Sequence, residues 1–180
     1  MTAALPGAEA GSTLFPVADL RSFLQGDWRL SRRLHDQRAG QRGSFDGAAR
    51  FSESGPALHY REDGEMRFGA FRGRAFRSYL YDFATPGRAE LRFADGRSFH
   101  DLDLSEGWWE ALHLCGRDRY RVEVRAFGAD LWETRWRIEG PRKDLRLTTR
   151  YSRGDGRRLV AEAEHDNDSP DERRSETAPG

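Results

Sequence analysis

The sequence predicts an all-β protein, a single antiparallel up-and-down barrel of about ten strands preceded by a short helix. Apolar and polar residues alternate with a period of two along most of the chain, which is typical of strands with one buried face. Turn-forming residues separate the alternating segments at spacings of roughly 8–14 residues, and no long crossover interrupts them. Closure into a barrel removes the sheet edges that such a meander would otherwise expose.

Charge and length exclude several classes of protein. The chain has 180 residues, with 30 basic and 30 acidic side chains and a formal net charge of zero. This balance argues against a nucleic-acid partner. No apolar run reaches the roughly 18 residues of a membrane span, and we expect no secretory signal. The one cysteine, Cys115, cannot form an internal disulfide, so we expect a cytoplasmic protein.

The chain divides into three predicted parts. Residues 1–13 lack periodicity, and we expect them to be disordered. Residues 14–160 form the barrel domain. Residues 161–180 carry seven acidic side chains against two arginines, a net charge of −5, which predicts a disordered acidic tail.

The first predicted element is the short helix. Pro16 suits its first turn, apolar residues follow at helical spacing at positions 17, 20, 23 and 24, and Gly26 ends it. Ten alternating segments follow: 28–34, 45–51, 58–62, 66–70, 75–83, 91–93, 98–104, 120–124, 132–138 and 145–151. Predicted turns are Asp63-Gly64, Pro86-Gly87, Asp95-Gly96, Gly128, Gly140-Pro141 and Asp155-Gly156.

Two segments between the seventh alternating segment, 98–104, and the eighth, 120–124, are ambiguous. Residues 108–111 are predicted to form a helical turn or a loop lid. Residues 111–115 form a strand of undecided phase, in which either His113 and Cys115 point inward or Leu112 and Leu114 do.

Polar residues in phase with the inward face are the informative ones, because burying an unpaired charge is costly. The inward polar set is Arg32, Tyr60, Glu62, Arg77, Tyr79, Tyr81, His100, Tyr120, Thr134, Thr149 and Tyr151. A set this polar predicts a lined cavity, since a solid barrel would be filled mostly with aliphatic side chains.

Two interpretations of the inward charges stay open. Arg32 and Arg77 form a clamp for a carboxylate or phosphate, or they form a buried ion-pair network with Glu62 that fixes strand register. The tyrosines are interpreted first as core aromatics with satisfied hydroxyls and second as ligand contacts.

His100, His113 and Cys115 are residue types of metal and haem sites. A soft-metal site needs about four ligands, and no second cysteine is present. We therefore expect neither metal nor cofactor, with haem as the alternative. Nucleophilic catalysis by Cys115, with His100 or His113 as base, is a further alternative.

The function predicted from these residues is small-molecule binding, with a hydrophobic or amphipathic, anionic ligand in the barrel. The predicted ligand-binding residues are Arg32, Tyr60, Glu62, Arg77, Tyr79, Tyr81, His100, His113, Cys115, Tyr120, Trp132 and Trp136. One alternative is an isomerase, cyclase or hydrolase in which His100 or His113 is the general acid or base and Asp118 or Tyr120 orients it. Another is a scaffold or interaction module that uses the acidic tail.

The start of the predicted barrel resembles that of lipocalins. The helix is followed by Gly26-Asp27-Trp28, similar to the Gly-x-Trp turn with which the lipocalin barrel begins. In lipocalins an arginine from the last strands packs over that tryptophan. The resemblance implies this role for Arg150 or Arg153.

Four further motifs carry a more specific resemblance. They are Tyr60-x-Glu62-x-Gly64, Asp95-Gly96-Arg97-x-Phe99-His100, His113-x-Cys115-x-x-Asp118-x-Tyr120 and Gly140-Pro141-x-Lys143-Asp144. In this order they resemble a bacterial and plant family known as domain of unknown function 6314, over about residues 23–153. The resemblance implies a lipocalin-like, or calycin-like, barrel and no established reaction. Leu145 departs from the pattern, since an aromatic residue is more typical there.

Overall fold

The computed structural model describes residues 13–154. In this range one helix, α1 (Leu20–Leu24), precedes ten strands. The strands are β1 (Gly26–Asp36), β2 (Gln41–Ser54), β3 (Ala57–Phe68), β4 (Phe71–Thr85), β5 (Arg88–Arg92), β6 (Ser98–Asp103), β7 (Trp108–Cys115), β8 (Asp118–Gly128), β9 (Leu131–Gly140) and β10 (Lys143–Ser152). The predicted acidic tail, the Asp155-Gly156 turn and residues 1–12 lie outside the described residues.

The strands form one antiparallel sheet in which neighbours in sequence are neighbours in space. The sheet curls until β1 pairs with β10, so the first and last strands close the barrel. The remaining gap lies between β6 and β7, which share no backbone ladder. There the indole Nε1 of Trp109 donates a hydrogen bond to the Asp101 carbonyl at 3.0 Å. The predicted up-and-down barrel is confirmed, and the Trp109 side chain bridges the gap between β6 and β7.

One predicted turn is wrong. Asp63-Gly64 lies inside β3, so the segments 58–62 and 66–70 belong to a single strand, and the chain reverses at Gly69, where φ is +60°. Gly64 pairs instead with Gly47 of β2. A Cβ on Gly47 would lie 2.2 Å from the Asp63 carbonyl oxygen. The glycine pair therefore permits a close approach of two strands, which the Asp-Gly dipeptide by itself does not distinguish from a reversal.

The merger of two predicted segments into β3 leaves nine of the ten predicted strands. Strand β7 is the tenth strand of the structure. Residues 108–111 form neither a helical turn nor a lid, because β7 pairs with β8 along its whole length. Ala111 pairs with Val122, and both side chains are buried. Burial on one face of this pairing is what keeps the segment extended.

The helix begins later than predicted. Phe15 and Val17 lie outside the helix, and their backbone N–H groups donate to the carbonyls of Ala126 and Leu104, both at 2.9 Å. The helix starts after Asp19, whose Oδ1 accepts a hydrogen bond from the Ser22 N–H at 3.0 Å. Pro16 thus belongs to a non-helical segment that docks on the barrel.

Helix α1 closes one end of the barrel. Leu20, Phe23 and Leu24 are buried, and the Leu20 N–H donates to the Pro86 carbonyl in the β4–β5 turn. At the start of β1, the indole Nε1 of Trp28 donates to the Leu24 carbonyl at 2.8 Å. Apolar packing and hydrogen bonds together fix the helix as a plug.

Arg153, and not Arg150, packs over the first tryptophan of the barrel. Its guanidinium carbon lies 3.8 Å from the centroid of the Trp28 ring, and Nη2 donates to the carbonyls of Leu24 and Gln25. Arg150 is exposed on β10. The turns at the opposite end, which join β1 to β2, β3 to β4, β5 to β6, β7 to β8 and β9 to β10, carry no comparable plug among the described residues.

No helix within residues 13–154 is long and apolar enough to cross a membrane.

Candidate ligand-binding site

The centre of the barrel holds a buried cluster of three charged side chains. Alternation along β1, β3 and β4 turns Arg32, Glu62 and Arg77 inward, and Glu62 stands directly opposite Arg77 in the β3–β4 register. Only 4% of Arg32 and 2% of Glu62 is exposed. Charges buried to this degree need close partners.

The three charged side chains bind one another, and neighbouring hydroxyl groups complete their hydrogen bonds. Arg32 binds the Glu62 carboxylate in a bidentate manner: Nη1 donates a hydrogen bond to Oε1 and Nη2 donates one to Oε2, both at 2.7 Å. The third donor of Arg32, Nε, binds the Thr149 hydroxyl at 2.8 Å. Glu62 also accepts hydrogen bonds from Arg77 Nε at 3.0 Å and from the Tyr60 hydroxyl at 2.5 Å. The carboxylate is therefore fully hydrogen-bonded.

This arrangement decides the ionisation of the cluster. Burial alone would raise the pKa of Glu62, but the Arg32 hydrogen bonds and the Arg77 charge lower it to about 2. Burial also raises the pKa of Tyr60 well above its usual value, so the phenol stays neutral. At neutral pH two guanidinium groups thus face one carboxylate, and the cluster carries one excess positive charge.

A cavity of about 300 Å³ lies on the open side of this cluster. It is lined by Arg32, Arg77, Tyr79, Phe93, Phe99, His113, Cys115, Tyr120, Trp136, Ile138 and Leu147. Its wall includes a stack in which the Phe99 ring lies 5.4 Å from Trp136 and 5.5 Å from Tyr79, between centroids. We call this space the mouth cavity; its floor is charged and its walls are largely aromatic.

A second, smaller space of about 40 Å³ lies deeper, and we call it the inner chamber. Its lining adds residues nearer to the plug: Tyr60, Glu62, Tyr81, Leu91, His100, Leu102, Val122, Val124, Trp132, Thr134 and Tyr151. Arg32, Arg77 and Tyr79 line both spaces. The inner chamber and the mouth cavity therefore adjoin each other at the charged cluster.

All twelve predicted ligand-binding residues line one of the two spaces. Tyr60, Glu62, Tyr81, His100 and Trp132 line the inner chamber alone, and His113, Cys115 and Tyr120 the mouth cavity alone. Arg32, Arg77, Tyr79 and Trp136 line both. The structure thus brings the predicted set together, and its role in binding stays a prediction.

The undecided phase of β7 is resolved. His113 and Cys115 point inward, whereas Leu112 and Leu114 are 50% and 62% exposed. His113 pairs with Tyr120 of β8, whose alternation is unambiguous, so the phase of β8 fixes that of β7.

The arginine clamp does not occur in the form that the sequence suggested. All three guanidinium nitrogens of Arg32 are engaged by Glu62 and Thr149, so Arg32 belongs to an ion-pair network with Glu62, the second of the two interpretations. Arg77 differs: Nε binds Glu62 and Nη1 the Tyr79 hydroxyl at 3.3 Å, while Nη2 has no partner within residues 13–154. Its side chain is 37% exposed toward the mouth cavity. One arginine, not two, is available to an anion.

The proposed orienting groups do not contact a histidine by hydrogen bond. Asp118 and the Tyr120 hydroxyl both bind the Lys143 ammonium, at 2.5 and 3.0 Å. His100 is held by a main-chain group, since its Nδ1 lies 2.8 Å from the Asp101 carbonyl. Burial lowers the pKa of His100 and favours the neutral imidazole. Asp118 lines neither space.

Sequence reasoning missed four apolar residues of the mouth cavity: Phe93, Phe99, Ile138 and Leu147. Phe93, Ile138 and Leu147 are in the predicted inward phase, which for an apolar residue does not distinguish a cavity wall from a packed core. Phe99 is different. A register shift between β5 and β6 pairs Arg92 with Ser98 and Leu91 with His100, which lets Phe99 and His100 both face the interior.

No group of three or more His, Cys, Asp or Glu side chains in the described part of the chain could hold a metal ion. Cys115 is a free, exposed thiol at the edge of the mouth cavity.

These features define a class of protein: a ten-stranded antiparallel barrel plugged at one end by a helix, with a cavity at the other end above a buried ion cluster. The chain belongs to the family of unknown function DUF6314, whose model matches residues 24–153. No curated protein matches the sequence.

Solved structures are similar to this chain. The chain is similar to the S-type phycobiliprotein lyase CPES from Guillardia theta, with a TM-score of 0.55 and 11% identity, over 74% of this chain and 90% of that one. It is also similar to a designed fluorescence-activating β-barrel, with a TM-score of 0.42 and 13% identity, over 77% of this chain and 100% of that one. At such identities the likeness concerns the fold alone.

Proposed function

We propose that the protein binds a small amphipathic anion in the mouth cavity, with the acid group of the ligand on Arg77. The observation that carries the proposal is the Nη2 of Arg77, which has no partner within residues 13–154 and lies at the floor of an aromatic cavity. A guanidinium recognises carboxylates and sulfonates through such free N–H groups. The fold shared with a phycobiliprotein lyase is compatible with binding and with catalysis alike.

Electrostatics supports an anion over a neutral or cationic ligand. Arg32 and Arg77 outnumber Glu62, and the low pKa of Glu62 keeps the cluster at one net positive charge throughout the neutral range. In a site sheltered from water this charge attracts an anion more strongly than it would on the surface. The aromatic wall of Tyr79, Phe99 and Trp136 would contact the apolar body of the ligand.

Two fluorescent probes distinguish the contribution of the acid group to binding from that of the apolar body. The probe 8-anilinonaphthalene-1-sulfonate carries a sulfonate, and N-phenyl-1-naphthylamine has the same ring system without it. We expect the wild type to bind the sulfonate at one site, and Arg77→Met to weaken that affinity at least tenfold while leaving the neutral probe unaffected. Equal sulfonate affinities in the wild type and Arg77→Met would contradict the proposal.

Arg74→Met is the matched control. Arg74 lies on the same strand, but its side chain is 82% exposed and pairs with Asp63 on the outer surface. This variant removes one positive charge without touching the cavity, so both probe affinities should stay at the wild-type value. Circular dichroism and melting curves of the two variants show whether each retains the fold.

An enzyme is the second candidate, and one observation favours it. The Nε2 of His100 is buried and has no partner in the described residues, so a neutral imidazole presents a lone pair next to the inner chamber. As an isomerase, cyclase or hydrolase, the protein would lose turnover in His100→Ala or His113→Ala and keep its ligand affinity. If both variants unfold instead, the histidines are structural.

We further propose that the protein carries no haem and no metal. His100 and His113 line spaces that also contain arginine, glutamate and phenol groups, whereas haem needs a large apolar cleft. Freshly purified protein should be colourless, and native mass spectrometry should show no metal mass. A Soret band, or a metal mass lost in His113→Ala, would overturn this proposal.

A further inference from the structure

Two residues that line the inner chamber each carry a buried ring nitrogen without a hydrogen-bond partner. Trp132 is 2% exposed, yet its indole Nε1 has no acceptor in the described residues, and His100 Nε2 has no partner there either. Tyr81 and Thr134, which carry hydroxyl groups, also line the chamber. Buried polar groups are almost always paired, so unpaired groups around one space indicate that a ligand or water completes them.

The tautomer of His100 defines what the chamber requires. The Asp101 carbonyl can only accept a hydrogen bond, so the Nδ1 that lies 2.8 Å from it carries the proton. In the neutral ring Nε2 is then an acceptor and needs a donor. Trp132 Nε1 is a donor and needs an acceptor. A single ligand group that contacts both nitrogens must donate a hydrogen bond to His100 Nε2 and accept one from Trp132 Nε1.

The position and size of the chamber restrict that group further. About 40 Å³ accommodates a few water molecules or one small substituent, and not a second ring. The chamber adjoins the mouth cavity at Arg77, where the acid group of the ligand is placed. A substituent that enters it must therefore be attached close to the acid group.

We propose that the barrel selects acids that carry a hydroxyl group beside the acid, with the hydroxyl in the inner chamber and the aromatic or aliphatic body in the mouth cavity. The hydroxyl accepts a hydrogen bond from the donors of the chamber and donates one to His100 Nε2. An oxo group can only accept, and a methylene can do neither. This inference rests on the proposed function.

Three matched acids test it: mandelate has the hydroxyl, benzoylformate has a non-enolisable oxo group, and phenylacetate has neither. Isothermal titration at pH 7.5 should show mandelate binding at least tenfold more tightly than the other two, because a site with unpaired polar groups rejects the analogue that leaves them unpaired. If all three acids bind equally, if benzoylformate or phenylacetate binds best, or if none of them binds while the sulfonate probe does, the inference is wrong and the proposed function stands. If none binds and the sulfonate probe also fails, the proposed function is wrong.

Two variants assign the preference to the inner chamber. His100→Phe removes the acceptor, and Thr134→Val removes a hydroxyl with little change in shape. We expect the preference of His100→Phe for mandelate over phenylacetate to fall to within a factor of two. Thr134→Val keeps the test informative if His100→Phe does not fold, and it should lower the preference severalfold. An undiminished preference in a folded His100→Phe variant would contradict the assignment.

Discussion

Arg32 and Glu62 form a bidentate ion pair at the centre of the barrel, with both nitrogen–oxygen distances at 2.7 Å and both side chains almost completely buried. The pair links β1 to β3 across the barrel interior, and Arg77 on β4 adds a third charge. Removal of one partner from a buried ion pair is strongly destabilising, because the charge left behind has no compensating group.

Glu62→Gln is expected to lower the free energy of unfolding by about 3–5 kcal/mol, because the buried guanidinium group of Arg32 and the half-buried one of Arg77 then face each other without a carboxylate. Urea denaturation followed by tryptophan fluorescence measures the loss. The double variant Arg32→Met/Glu62→Gln removes one of the unpaired charges and should be more stable than Glu62→Gln alone. A single variant as stable as the wild type would show that the ion pair contributes nothing.

The same carboxylate predicts a pH dependence of stability. The pKa of Glu62 is about 2 in the folded protein against 4.5 for an unperturbed glutamate. The unfolded chain therefore binds the proton more readily, and the stabilisation is complete above pH 4.5 and disappears as the pH falls towards 2. It amounts to about 3 kcal/mol. Unfolding free energies between pH 6 and pH 2 should fall more steeply for the wild type than for Glu62→Gln, and parallel curves would refute the assignment.

Arg153→Met is expected to destabilise the plugged end by about 1–2 kcal/mol. The substitution keeps an apolar stem against Trp28 and removes both the cation–π contact and the hydrogen bonds to the Leu24 and Gln25 carbonyls. Thermal melting measures the change. Arg150→Met is the control, because Arg150 is exposed on β10. Its free energy of unfolding should stay within about 0.5 kcal/mol of the wild-type value. Equal losses in both variants would count against the role of Arg153.

Alanine is expected to be poorly tolerated at Gly47 and Gly64. The added Cβ would lie 2.2 Å from the Asp63 carbonyl oxygen in the first case and 2.4 Å from that of Asp46 in the second. Because backbone atoms cannot move aside cheaply, each variant should lose at least about 2 kcal/mol or fail to fold. Gly87→Ala, with nothing within 4 Å of the added Cβ, should melt like the wild type. Normal stability of Gly47→Ala would show that β2 and β3 can separate there.

Local sequence patterns determined most of the architecture. Period-two alternation identified strands and their inward residues, because a residue's side of the sheet depends only on its position along the strand. It therefore placed Tyr60, Glu62 and Trp136 on the inner face without any knowledge of their neighbours. The family motifs lie on these same strands, and the family model matches residues 24–153.

Tertiary structure alone decided how the inward residues combine. The register of β3 against β4 sets Glu62 opposite Arg77, and barrel closure brings Arg32 onto the same carboxylate, so one arginine is occupied and the other is left partly free. The strand–strand contact at Gly47 likewise made Asp63-Gly64 part of β3 instead of a turn. Pairings between residues distant in sequence depend on register and curvature, which no local pattern contains. For that reason the sequence determined the barrel and its polar interior, and the folded chain decided which of those polar groups are satisfied and which still need a partner.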